Sequence, residues 1–180
     1  MENTTTPVWK HSLIFGLYLG IALIIFSLLI YLLDMMTVSW VGYISYLLIL
    51  AGVIFSSINY RDRHLNGFIS YGQSLSAGFL TGLFAGILSA IFTYIFVTIM
   101  GEQYMQELLV AAEENIINSR PDITDEELDL AMGFTKNMMR PGWMSLMGFL
   151  GTAFFSLVFA LIASIFIKKE DQNNLSETAV

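Results

Sequence analysis

Four long uncharged runs organise the chain, at residues 12–33, 38–58, 75–100 and 143–167, and together they take up more than half of it. None contains an Asp, Glu, Lys, Arg or His. A bilayer core about 30 Å thick is crossed by about 20 apolar residues in a helix. A helix that turns one face to water does not stay uncharged for so long. Lipid offers no partner to free N–H and C=O groups, so a spanning segment satisfies its backbone internally. The pattern predicts an all-α integral membrane protein with four transmembrane helices: a membrane domain over 12–167, a segment 1–11 before it and a polar tail 168–180 after it. The first run is longer than the apolar stretch of a signal peptide and no small-x-small cleavage site follows it, so it is expected to remain as a helix. Trp9, Trp40 and Trp143 stand at or beside run ends, as do Tyr31, Tyr60, Tyr71 and Tyr104, where amphipathic rings favour the headgroup zone. Tyr18 and Tyr94 lie deeper and are expected to face neighbouring helices.

The polar stretch 101–142 has a helical pattern of its own. Met105, Leu108, Leu109, Ala112 and Ile116 recur at three- and four-residue steps, with Gln106, Glu107, Glu113 and Glu114 on other faces. Pro121 interrupts this pattern. Thr124-Asp-Glu-Glu127 matches a capping box, in which hydroxyl and carboxylate each bond the other residue's backbone N–H. Asp125, Glu126 and Glu127 also suit the positive end of a helix. A second stripe follows, of Leu128, Ala131, Met132, Thr135, Met138 and Met139, before Arg140-Pro141-Gly142 ends it. The expectation is an extramembrane helical hairpin between transmembrane helices 3 and 4. Its apolar faces either pack on each other, lie on the membrane surface, or dock a partner through adaptable Met side chains.

Composition agrees with a membrane protein: 56% of residues are hydrophobic, 13% are charged and the mean hydropathy is +0.67. The net charge of −7 is concentrated, since 101–142 holds nine acidic and three basic residues and the remainder six and five. An acidic balance without clustered Lys and Arg speaks against nucleic acid as a partner. Zero cysteines exclude disulfides, thiolate metal sites and covalent haem attachment. The acidic residues form no Asp-x-Asp-x-Asp-Gly loop and no His-Glu-x-x-His pair occurs, while His11 and His64 are isolated in sequence, so neither metal nor cofactor is expected. Lys10, Arg61, Arg63, Lys168 and Lys169 would share one side of the membrane in short segments. The other side carries Arg120, Lys136 and Arg140 spread along a long loop. Short basic segments stay cytoplasmic, which places both termini and 59–74 in the cytoplasm and 101–142 outside. The five cytoplasmic cations either set this topology alone or also form a shallow rim for anionic lipid headgroups.

Within the runs the clearest pattern is one of small residues. Ser74, Gly78, Gly82, Gly86 and Ala90 recur every four residues, as do Gly148, Thr152, Ser156, Ala160 and Ser164, and Ser12, Gly16 and Gly20. Such rows let helix backbones approach closely. Gly16, Gly20, Gly78, Gly82, Gly86, Gly148, Ser156 and Ala160 are therefore candidate helix-packing positions, within one chain or across a homodimer. Proton- and ion-coupled transport usually needs ionisable groups at membrane depth, and the runs have none. Thr81, Ser89, Thr93 and Thr98 offer hydroxyls that can bond back to their own helix. No serine–histidine–carboxylate constellation and no phosphate-cradling loop is present, so no enzyme is expected.

Three stretches, Asn66-Gly-Phe-Ile-Ser-Tyr-Gly-Gln73, Ile123-Thr-Asp-Glu-Glu-Leu128 and the closing Lys168-Lys169, carry a resemblance to a bacterial family, domain of unknown function 4199. The likeness extends over about residues 8–169 as one domain, with 67–73 its most distinctive piece. It implies a four-helix protein of a Gram-negative inner membrane and carries over no activity and no functional residue. The residues themselves favour a non-enzymatic scaffold or subunit of a membrane complex, with membrane lipid and a second copy or another membrane protein as partners. The alternative is a small transporter or channel subunit for a neutral or lipophilic solute.

Overall fold

The computed structural model describes residues 6–35, 38 and 40–169. Five helices follow in order: α1 Val8–Leu32, α2 Val41–His64, α3 Tyr71–Ser119, α4 Asp125–Met138 and α5 Pro141–Ile167. Four helical stretches, Val8–Leu32, Val41–His64, Tyr71–Glu102 and Pro141–Ile167, are long and apolar enough to cross a membrane. The chain is thus an all-α, multi-pass membrane protein. An isolated antiparallel bridge between Ile69 and Lys169 is the only β pairing among the described residues.

The helices overrun the uncharged runs. α1 begins at Val8 and takes in Lys10 and His11, and α2 extends to His64 through Arg61, Asp62 and Arg63. Charge alone does not end a membrane helix, because long basic side chains reach from the last turn to the interface. Cations in that turn also oppose the negative end of the helix dipole. α3 is interrupted at Gly101, whose φ of 70° and ψ of −153° are not helical. That backbone region is open almost solely to glycine, so Gly101 lets the chain leave the third span and resume as the first arm of the hairpin.

The chain divides into two units, Met1–Leu88 with Leu150–Val180, and Ser89–Phe149. In the first, the helices turn small and polar residues inward and large apolar ones outward. Ser12, Gly16 and Gly20 of α1 are buried, while Ile14, Leu17, Ile21, Ile25 and Leu29 are exposed. In water such an exterior would be an aggregation liability; in lipid it is the expected arrangement, since small residues make the helix contacts. A Cβ on Gly16 would meet Phe84 and the Thr81 carbonyl of α3, and one on Gly20 would meet Leu88. Gly78 lies against Val53 of α2 and Ala160 of α5, and Gly82 against Ser156. Gly86 is buried. Gly148 differs from the others, since a Cβ there would meet nothing within 4 Å. Close backbone approach therefore does not account for that glycine, although it continues the periodic row.

Tyr18 and Tyr94, expected to face neighbouring helices, point outward instead, 65% and 52% exposed. Tyr60 and Tyr104, expected in the headgroup zone, are buried. Position along a span gives a ring's depth, whereas its angle around the helix decides what it faces.

Candidate functional site

One end of the first unit gathers residues from the start of α1, the end of α2, the 66–70 connection and the end of α5. Asn66 and Gly67 both take left-handed backbone angles (φ 53° and 86°), a conformation that Asn and Gly tolerate best. They turn the chain back so that the Gly67 N–H bonds the Arg61 carbonyl at 3.0 Å. Ile69 then exchanges two backbone hydrogen bonds with Lys169, both 2.9 Å, and is 2% exposed within a cluster of Tyr60, Ala77, Ala163 and Ile167. Ser70 and Gln73 follow as a capping box for α3. The Ser70 N–H donates to Gln73 Oε1 at 3.0 Å, and the Gln73 N–H donates to Ser70 Oγ at 3.3 Å. Tyr71 adds a bond from its hydroxyl to the Leu161 carbonyl. The stretch 66–73 is thus a turn, a tie to α5 and a helix cap in eight residues. Its signal is present in the sequence as Ser-x-x-Gln ahead of an apolar run.

The five cations singled out in the sequence come to this end from chain-distant positions. Arg61 pairs with Asp62 at 2.7 Å and reaches the Ile167 carbonyl at 3.5 Å. The Lys169 ammonium lies over the Phe68 ring, and that of Lys10 over Trp9. Arg63 and Lys168 are exposed. Several of these cations are already engaged within the chain, through cation–π contacts or carboxylate and carbonyl partners.

His11 and His64, isolated in sequence, meet in the structure. Their rings are 5.2 Å apart, edge to face, with Phe15 and Tyr60 against His11. His11 is 5% exposed and its Nε2 donates to the Ser56 carbonyl at 3.0 Å. The pairing could not be read from the chain, because it arises only when the first turn of α1 packs beside the last turn of α2. No group of three or more His, Cys, Asp or Glu converges among the described residues.

Below this end runs a seam of buried hydroxyls. Ser56 Oγ and Thr81 Oγ1 are 2.6 Å apart, and Thr81 donates to the Ala77 carbonyl of its own helix at 2.8 Å. Ser12 donates to that same carbonyl at 3.1 Å. Ser57 bonds the Ser74 carbonyl, and Ser164 bonds Ser74 Oγ, both at 3.0 Å. Each of these side chains is at most 1% exposed. They bind α1, α2, α3 and α5 to one another, and such interhelical bonds average about 0.6 kcal/mol each in membrane proteins.

The second unit carries the hairpin. The capping box of α4 is present, with Glu127 N–H donating to Thr124 Oγ1 at 3.3 Å and the Thr124 N–H donating to Glu127 Oε2 at 3.2 Å. Met105, Leu108, Leu109, Ala112 and Ile116 are half-buried, as are Leu128, Ala131, Met132, Thr135 and Met139. Met138 stands apart from that stripe. It is exposed and continues a second row with Leu130 and Phe134, at four-residue steps, that are 71% and 67% exposed. No residue of α4 is fully buried. The apolar sector of α4 is therefore wider than the face that packs, a width visible in the sequence only if both rows are counted.

No curated protein and no solved structure matches the chain. The family described as "Protein of unknown function (DUF4199)" matches residues 14–169, a range that takes in both capping boxes and the Ile69–Lys169 tie, and the chain belongs to that family.

Proposed function

We propose that the protein is a non-enzymatic scaffold or subunit of a membrane complex, held in the cytoplasmic membrane of a bacterium. Both termini and 59–74 lie in the cytoplasm and the 101–142 hairpin lies outside. The observation that carries this reading is the uncovered row Leu130, Phe134 and Met138 on α4. Large apolar side chains in line mark a face that another protein or the membrane covers, and the acidic residues around this row weigh against an anionic membrane surface. The hydroxyl seam supports the same reading over a solute pathway, because its Ser and Thr side chains are spent on one another and on backbone carbonyls.

A photo-reactive residue placed at Phe134 in the full chain, activated in native membranes, tests this. The expected result is a discrete cross-linked product, at twice the chain mass if the partner is a second copy. The same residue at Asp129, on the polar side of α4, should yield none. Monomer alone at both positions overturns the proposal, and solute uptake by reconstituted vesicles would favour a transporter in its place.

A further inference from the structure

A concave site of about 470 Å³ lies in the second unit, lined by Tyr94 of α3 and by Arg140, Pro141, Gly142, Trp143 and Leu146 around the start of α5. It is an open groove and not an enclosed cavity, with Tyr94 and Trp143 both about half exposed along it. α4 ends at Met138 and α5 starts at Pro141, so Arg140 stands in a short joint whose direction the proline ring helps to set. Arg140 is exposed and forms no ion pair among the described residues, although nine of the twelve charged residues of 101–142 are acidic.

The lining changes character along α5. Arg140 comes first, one turn before Trp143, which opens the uncharged run, and Leu146 follows a turn deeper. At about 1.5 Å of rise per residue, guanidinium, indole and leucine follow one another over about 9 Å, from the charged joint into the uncharged run. Tyr94 and Trp143 are both half-exposed and supply the amphipathic rings that favour this depth. A free phosphate would call for several converging donors, whereas this site offers one guanidinium over an apolar and aromatic wall.

We propose that this groove holds one anionic phospholipid, its headgroup phosphate on Arg140 and its glycerol and upper acyl chain against Tyr94, Trp143 and Leu146. The guanidinium fork suits a phosphate better than an ammonium does. None of its lining residues is among Lys10, Arg61, Arg63, Lys168 and Lys169.

The test uses the full chain with Trp9→Phe and Trp40→Phe, so that Trp143 alone fluoresces. The protein is reconstituted in phosphatidylcholine vesicles containing a minor fraction of brominated phosphatidylglycerol or, in a parallel sample, brominated phosphatidylcholine. Quenching should show phosphatidylglycerol enriched at Trp143 roughly fivefold over its bulk fraction, equivalent to about 1 kcal/mol. Arg140→Gln should abolish the excess, Arg140→Lys should keep part of it, and Arg120→Gln should leave it unchanged, with circular dichroism showing each variant helical. Equal quenching by the two lipids overturns the proposal, as does an excess that survives Arg140→Gln. Relief of the excess by inorganic phosphate would assign the site to a free anion and overturn it as well.

Discussion

The side chain of Ser156 occupies the space that a Cβ on Gly82 would need, and the Ser156 Cα lies 3.5 Å from that position. α3 and α5 therefore cross at a point where one helix supplies no side chain and the other a small one. Gly82→Ala should cost about 1–3 kcal/mol through overpacking, read from unfolding in mixed micelles. Ser156→Gly in the same chain removes the colliding atoms and leaves the new methyl at an ordinary distance from the Ser156 backbone. The pair should then recover most of the loss. Additive losses would show that Gly82 matters for some reason other than this crossing.

Thr81 accepts from Ser56 across the α2–α3 contact while donating to its own helix. Thr81→Val keeps the shape and removes the acceptor, so the Ser56 hydroxyl loses its partner at a fully buried position. We expect a loss of about 0.6–1.7 kcal/mol, the average and upper range for such bonds in membrane proteins. With Ser56→Ala already in place, Thr81→Val should cost measurably less, since no hydroxyl is then stranded. An unchanged cost would locate the contribution of Thr81 in packing.

Gly101 holds a backbone conformation that a residue with a Cβ adopts only under strain. In Gly101→Ala, either the break persists at a cost of about 1–3 kcal/mol or residues 96–106 become continuous helix. Spin labels at Thr98 and Glu107 distinguish the two outcomes, because helical continuation fixes their separation at about 1.5 Å of rise per residue. An unchanged distance together with unchanged stability would contradict the account of the kink.

The membrane helices were legible because the bilayer imposes a length and a polarity that a one-dimensional pattern can carry. The capping box at Thr124 and Glu127 was legible because its partners are three residues apart. The equivalent box at Ser70 and Gln73 has the same three-residue spacing. Periodicity located the half-buried stripes of the hairpin except at Met138, which is exposed and lines up with Leu130 and Phe134 in a row that the expected stripe did not contain. A wide apolar sector and two separate faces look alike until a neighbouring helix covers one side. The contact of His11 with His64, the outward turn of Tyr18 and the tie of Ile69 to Lys169 depend on the rotation of helices that are remote in the chain. Single-sequence patterns contain no term for that rotation.

Topology gives a direct check on the four-span arrangement. Asn66 lies in the connection before α3 and Ser119 at the end of the first hairpin arm, with one membrane crossing between them. Reporter fusions at these positions should report opposite sides, with Asn66 cytoplasmic. Reports from the same side would remove α3 as a crossing, and Asn66 outside would reverse the orientation that the basic residues suggest.

The two capping boxes should respond differently to the same chemical change. Ser70 caps a helix whose start is also fixed by the Ile69–Lys169 backbone pair and by Tyr71 bonding the Leu161 carbonyl. Thr124 caps a helix that has no fully buried residue and follows a short turn at Pro121 and Asp122. Removing a cap typically costs about 1 kcal/mol of helix stability, and local opening takes up such a loss where tertiary anchoring is weak. Thr124→Ala should therefore accelerate hydrogen exchange at the amides of Glu127 and Leu128, which bond the Thr124 hydroxyl and carbonyl, by roughly fivefold, the ratio that about 1 kcal/mol represents, with little change in α5. Ser70→Ala should leave exchange in the first turn of α3 nearly as slow as before, because the backbone bridge still holds that turn in place. A larger acceleration at α3 than at α4 would mean that the Ile69–Lys169 tie does not anchor the third span.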